Sequence, residues 1–360
     1  MSKSINLQEL LRPNIRGISP YSSARSEFSG EAEVFLDANE NFQDFVETSG
    51  SPRNRYPDPF QRKLKDRVAK LFGISAETLF LGNGSDEAID LLYRAFAMPG
   101  VDKAVIFPPT YGVYKVFADI NDIEVVRIPL TDTFTIDMDS LREVVESEPV
   151  QQLKLLFACS PNNPTGNSVE PAVLQQVLKL FPGIVVVDEA YQDFSNNPSA
   201  LDLLGSYENL VVLRTFSKAW GLANVRLGMA IASPEIAAVL KNIKYPYNLS
   251  GPAQEVAASV LETETLVREG IRKIIASRRQ LTAALEEIPY VRYVYPSDAN
   301  FILVKVLDAN RLYQELRRIG IIIRNRNSEP GCEGCVRITI GSETENEKLV
   351  SAMKNLGGLL

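Results

Sequence analysis

Histidine is absent from the 360 residues. That excludes a Ser-His-Asp triad, a Cys-His nucleophile pair and any His-ligated metal site. The side chain that most readily titrates near neutral pH is missing as well. Proton transfer must therefore fall to lysine, tyrosine, cysteine or a carboxylate with a shifted pKa. Cysteine is scarce: Cys159, Cys332 and Cys335 form an odd, sparse set that fits a reducing compartment. Cys332-Glu-Gly-Cys335 has the spacing of a zinc half-site or redox pair, but lone Cys159 cannot complete a zinc site, and ordinary free thiols are the plainer reading. No apolar run approaches the ~18 residues of a membrane helix, and Met1–Glu9 has no apolar signal core. The expected address is cytoplasmic. With 38 Lys+Arg against 45 Asp+Glu and no basic run, the chain is a poor partner for nucleic acid or an anionic membrane.

What is present is ordinary globular composition, 45% hydrophobic and 23% charged, over a length that suggests about two domains. Residues 1–30 are punctuated by Ser, Gly and Pro and read as an extended arm. Short, continuously apolar runs follow at Ala104–Phe107, Val125–Ile128, Leu153–Ala158, Ile184–Val187, Leu210–Leu213 and Leu227–Ile231. Helical patterns lie near 60–72, 85–98, 111–121, 139–147 and 171–180, with Ser85 as an N-cap. Buried strands alternating with helices predict an α/β domain, its mostly parallel sheet covered on both faces. Ligands of such sheets sit beyond the carboxyl ends of the strands. After Pro246 and Pro252 a long helix over 262–288 is expected. Strands near 291–294, 301–306, 321–324 and 336–340 and helices at 310–318 and from 344 should form a smaller α+β domain. The expected division is an arm over 1–30, a large domain over 31–248 and a small domain over 249–360.

Four loops follow strands and carry chemistry-bearing residues. Gly82-Asn83-Gly84-Ser85-Asp86-Glu87 offers close backbone approach and a helix N-terminus to a phosphate, or is a plain turn. Its third glycine is replaced by Glu87, so it is not a dinucleotide fingerprint. Ser160-Pro161-Asn162-Asn163-Pro164-Thr165-Gly166 is a rigid loop that could aim the Asn163 amide into a crevice. Val187-Asp188-Glu189-Ala190-Tyr191 sets a carboxylate straight after a buried strand, where it needs a cationic or protonated partner, or else caps the next segment. Arg214-Thr215-Phe216-Ser217-Lys218, with Arg226 eight residues on, holds a lysine that reads either as a desolvated nucleophile or as a surface charge. Together they describe one ligand: a phosphate, a basic ring nitrogen opposite Asp188 and an aldehyde within reach of Lys218. Pyridoxal 5'-phosphate has those three features.

On these loops the chain resembles the fold-type I pyridoxal-phosphate aminotransferases. Pro20-Tyr21-Ser22-Ser23-Ala24-Arg25, Asp37-Ala38-Asn39-Glu40-Asn41, Asn54-Arg55-Tyr56-Pro57, Pro108-Pro109-Thr110-Tyr111-Gly112 and Cys335-Val336-Arg337-Ile338-Thr339-Ile340-Gly341 extend the likeness almost end to end. Within that group the arm and Tyr56 motifs point to the histidinol-phosphate aminotransferases. The resemblance implies the following roles. Lys218 is the Schiff-base lysine and proton carrier, Asp188 the partner of the ring nitrogen, and Tyr191 and Asn163 hydrogen-bond the ring oxygen. Tyr111 stacks on the ring. Ser85 and Asp86, through their backbone N–H groups, with Thr215, Ser217 and Arg226 hold the phosphate, and Tyr56 reaches the cofactor of the other subunit of a homodimer. Tyr21, Asn39, Arg324 and Arg337 are the implied substrate residues, with Arg326 a second choice. An arginine fork suits both a phosphate and a carboxylate. The implied reaction exchanges the amino group between L-histidinol phosphate and 2-oxoglutarate in histidine biosynthesis. Related enzymes acting on aromatic amino acids or decarboxylating threonine phosphate are the alternatives. A non-catalytic cofactor-binding regulator is a distant one, because residues 1–30 are too short for a DNA-binding module.

Overall fold

The computed structural model describes residues 4–19, 34, 36–46 and 50–358. Its larger sheet has seven strands: β1 Leu79–Asn83, β2 Lys103–Ile106, β3 Glu124–Arg127, β4 Leu153–Cys159, β5 Ile184–Asp188, β6 Leu210–Thr215 and β7 Leu227–Ala232. The order is β1-β7-β6-β5-β4-β2-β3. β2 to β6 run parallel, while β7 is antiparallel to both β6 and β1. The link between β6 and β7, residues 216–226, holds one 3₁₀ turn and no α-helix. Without a crossover helix the chain returns antiparallel, and this short return carries Lys218 and Arg226.

β4 to β7 are almost wholly buried, as their unbroken apolar runs require. One face is covered by the helices Gly84–Phe96, Val113–Ile120 and Pro234–Ile243, and the other by Met138–Ser147 and Pro171–Leu180. The second sheet, β8 Val291–Val294, β9 Phe301–Val306, β10 Arg324–Asn325 and β11 Cys335–Thr339, is antiparallel in the order β10-β11-β9-β8. It packs its own core with helices Glu264–Glu286, Ala309–Arg318 and Glu343–Asn355. The helix Gly251–Leu261, by contrast, sets Ala257 among Leu64, Val68 and Leu79, on the side of the larger sheet.

Three local expectations are corrected. The helix expected at Ser85 starts at Gly84, with Asn83 as its N-cap, so Ser85 lies in the first turn. The long helix expected over 262–288 is present, trimmed to Glu264–Glu286, and a separate helix that the sequence reading did not place, Gly251–Leu261, precedes it. They break at Thr263, whose hydroxyl donates to the Val260 carbonyl at 2.9 Å and competes with the helical ladder. The strand expected over 321–324 is replaced by the short β10, because the ladder with β11 begins only at Arg324. The isoleucines before it have strand propensity but no ladder partner there, and Ile323 is buried in the small core instead. Among the described residues, no helix is long and apolar enough to cross a membrane.

Candidate active site

A cleft of about 450 Å³ opens beyond the carboxyl ends of β4, β5 and β6. Its walls include Asp188 and Lys218 from the large sheet and Arg337 from the small one.

Strand register builds one end of the cleft. Asn83 on β1 pairs with Leu227 on β7, and Thr215 on β6 pairs with Gly228. The start of helix Gly84–Phe96 is thereby laid against Arg226, and the Gly84 N–H donates to the Arg226 carbonyl at 2.7 Å. Arg226 itself is left-handed, with φ of 59°. Its guanidinium lies 3.4 Å from Asp86 and 3.4 Å from the Ser217 hydroxyl. Two glycines make the approach possible. A Cβ on Gly228 would stand 2.2 Å from the Ser85 nitrogen, and one on Gly84 would stand 2.7 Å from Arg226 Nη2. Ser85, Asp86, Thr215, Ser217 and Arg226 all line this end. A helix N-terminus beside an arginine and three hydroxyls is a good seat for an oxyanion.

Asp188 ends β5 and is buried. Tyr114 donates its phenol hydrogen to Asp188 Oδ2 at 2.7 Å, and the Ala190 N–H donates to Oδ1 at 3.1 Å. Both partners are neutral. Burial pushes the carboxyl up to about 6, against the downward pull of those two hydrogen bonds. Cys159, its neighbour across the β4–β5 pairing, is buried too, and burial followed by the Asp188 charge drives its thiol well up. A buried carboxylate with neutral partners is an uncompensated cost that a cation in the cleft would relieve.

Lys218 faces the water of the cleft, yet the surrounding walls and then the Arg337 charge push its pKa below the ordinary lysine value. Its Nζ stands 5.6 Å from the centre of the Tyr191 ring. Tyr191 is itself buried, and packs edge-on to Phe301 of the small domain. Tyr111 meets Tyr114 edge-on and reaches Asp86 at 3.4 Å. Asn163 sits in a loop with cis bonds at Ser160-Pro161 and Asn163-Pro164, and its side-chain oxygen accepts from Arg337. Asn162 ties this loop to its neighbour. It accepts from the Thr110 hydroxyl at 2.9 Å and donates to the Pro109 carbonyl at 2.9 Å.

Arg324 and Arg337 come from β10 and β11 and line the same cleft, together with Arg326 and Glu329. Arg214 does not join them. It is buried in ion pairs with Glu189 at 3.0 Å and Asp193 at 2.8 Å. Asn39 and Tyr56 line a different cleft, of about 840 Å³, where Tyr56 stacks on Tyr247 with ring centres 4.5 Å apart. Tyr21 lies outside the described residues. Cys332 and Cys335 are free and buried, and burial pushes their thiols up to about 12 and about 11.

Sequence reasoning did not single out Tyr114 or Glu329. Tyr114 reads as one more core aromatic in the pattern near 111–121; it sits in the first turn of helix Val113–Ile120, while Tyr111 precedes that helix. Glu329 sits in a polar turn without any pattern.

Residues 24–353 match the family described as aminotransferase class I and II. A histidinol-phosphate aminotransferase of Parabacteroides distasonis is 49% identical over 351 residues, covering 98% of this chain and 99% of its own length. The enzyme of that name from Bacteroides fragilis is 48% identical over 349 residues, covering 97% and 98%. The crystal structure of the histidinol-phosphate aminotransferase from Clostridium acetobutylicum aligns with a TM-score of 0.78 at 26% identity, over 86% of this chain and 92% of that one.

Proposed function

The chain belongs to the class I and II aminotransferases, and from that premise we propose that it transfers the amino group of L-histidinol phosphate to 2-oxoglutarate, giving imidazole-acetol phosphate and glutamate, with pyridoxal 5'-phosphate as cofactor. The observation that carries the reading is the convergence of Lys218, Asp188, Arg226 and Arg337 on one cleft, in a chain nearly half identical to enzymes of that name.

The residues present fit the cofactor. The glycine-lined cradle at Gly84 and Gly228 brings backbone N–H groups and Arg226 to where a phosphate would lie, and Asp188 is a buried carboxylate with neutral partners. When bound, the cofactor supplies the carbonyl carbon that accepts the amino group and a ring that withdraws electrons from the substrate Cα.

The chain's own groups do the rest. Lys218, with its pKa lowered, is the amine that anchors the cofactor and, once released, carries the proton at Cα. Asp188 would face the ring nitrogen and favour its protonated form, and a cation there would favour the ionised carboxylate. Tyr191 and Asn163 donate to the ring oxygen, and Tyr111 covers the ring face. Ser85, Asp86, Thr215, Ser217 and Arg226 hold the phosphate. Arg337 and Arg324 take the anionic end of either substrate, which reconciles a phosphate ester with a carboxylate.

Tyr56 lies outside this chain's cleft, as a residue serving the other subunit's cofactor would. The working unit is then a cytoplasmic homodimer with shared sites, to which Tyr21 and Asn39 bring substrate contacts. Mixing an inactive Lys218→Ala chain with a Tyr56→Phe chain tests this, because only shared sites make the hybrid's activity differ from the sum of its parts.

Steady-state assays with histidinol phosphate, phenylalanine and threonine phosphate test the reaction itself. The expected order puts histidinol phosphate first in kcat/KM. A higher value for phenylalanine, or carbon dioxide release from threonine phosphate, would overturn it.

A further inference from the structure

Arg324 and Arg337 are direct cross-strand partners of β10 and β11. Like charges opposite one another destabilise a ladder. The pairing runs one residue further, since the Arg326 N–H donates to the Cys335 carbonyl at 2.9 Å. Arg326 is two residues from Arg324, on the same side of the ribbon, and all three side chains line the cleft.

Their commitments differ. Arg324 is exposed. Arg337 holds Asn163 and stacks its guanidinium 5.1 Å from the centre of the Phe301 ring. Arg326 touches Glu329 at 3.3 Å. The Nε atoms of Arg326 and Arg337 are both buried with no hydrogen-bond partner among the described residues. Of the carboxylates lining the cleft, Asp86 meets Arg226 and Tyr111, and Asp188 meets Tyr114 and Ala190. That leaves Glu329 beside the arginines.

A carboxylate ligand brings one charge and two oxygens, which a single guanidinium fork satisfies. A phosphate monoester brings about two charges and three acceptor oxygens, enough for two forks. Three guanidinium-bearing side chains on one cleft, with a single carboxylate beside them, match the second ligand.

We propose that Arg326 is the residue by which this cleft prefers a phosphate monoester to a carboxylate, with Glu329 holding its guanidinium until the phosphate takes that place. The Glu329 contact is one ion pair of 3.3 Å within a turn, its guanidinium mostly buried and its carboxylate partly exposed, and a dianion entering the cleft competes for it with two charges against one. Arg337 serves both substrates, and Arg326 distinguishes them. This deepens the reaction proposed above and rests on it for the identity of the phosphate ester.

The test uses cofactor-loaded enzyme as wild type, Arg326→Gln, Arg326→Lys and Glu329→Gln, titrated calorimetrically with inorganic phosphate and with acetate at pH 8. Loss of a charge-assisted fork should lower the ratio of phosphate to acetate affinity about tenfold or more in Arg326→Gln. Arg326→Lys, which keeps the charge but not the fork, should fall between it and wild type. Glu329→Gln should bind phosphate more tightly than wild type. In turnover, the ratio of KM for histidinol phosphate to KM for glutamate should rise by a similar factor in Arg326→Gln. An unchanged phosphate-to-acetate ratio in both Arg326 variants, or equal weakening of both anions, overturns the proposal. If phosphate binding responds as described but histidinol phosphate is not transaminated, the reaction assignment fails while the role of Arg326 stands.

Discussion

Tyr114 Oη donates to Asp188 Oδ2 at 2.7 Å, its buried ring stacked on Phe157 and met edge-on by Tyr111. The bond favours the ionised carboxylate, against the burial that raises its pKa. Tyr114→Phe removes the donor and keeps the packing. The acid limb of the kcat/KM profile should then move to higher pH by on the order of 1 unit, as expected for a hydrogen bond to a charged group. An unmoved limb would show that Tyr114 only fills space.

The same carboxylate makes the cofactor-free protein sensitive to pH. Its folded pKa of about 6 lies above the ordinary 3.8, so the folded state keeps the proton longer than the unfolded chain. The stability it contributes is complete at low pH and is lost as pH rises through about 6. Cofactor-free wild type should lose on the order of 2–3 kcal/mol relative to Asp188→Asn between about pH 4 and 7. Urea unfolding of the two proteins across that range measures it. Parallel stability curves would remove the linkage.

Lys218→Ala should abolish turnover and the visible absorbance band of the lysine-anchored cofactor, since among the described residues lining the cleft no other lysine is present to replace it. Absorbance and single-turnover assays check this together. Turnover near the wild-type rate would remove the proposed mechanism.

Gly228→Ala forces a methyl against backbone, 2.2 Å from the Ser85 nitrogen and 2.3 Å from the Gly84 carbonyl carbon. The turn that opens helix Gly84–Phe96 must shift, and overpacking of this kind costs about 1–3 kcal/mol. Cofactor affinity, read by fluorescence titration, should fall at least about tenfold because the displaced N–H groups are the donors proposed for the phosphate. Gly221→Ala, at a positive φ of 68° but with open space around its Cβ, should lose backbone stability without a comparable loss of cofactor affinity.

The amino-acid sequence by itself determined the alternation of buried strands and amphipathic helices, and so the doubly covered sheet. Its strand-end loops also named the residues of the large-domain cleft. Those signals are local: an apolar run, a glycine pair, a carboxylate one residue past a strand. The sequence did not determine where the arginines would meet. Arg324 and Arg337 are opposed because β10 and β11 pair in one register, and register depends on the whole small sheet. Nor could it single out Tyr114, whose pattern is that of a core residue until β5 brings Asp188 beside it. Nor could it show that Asn39 shares a second cleft with Tyr56. Spacing along a chain reports one element at a time, and only packing of distant elements decides which side chains face one another.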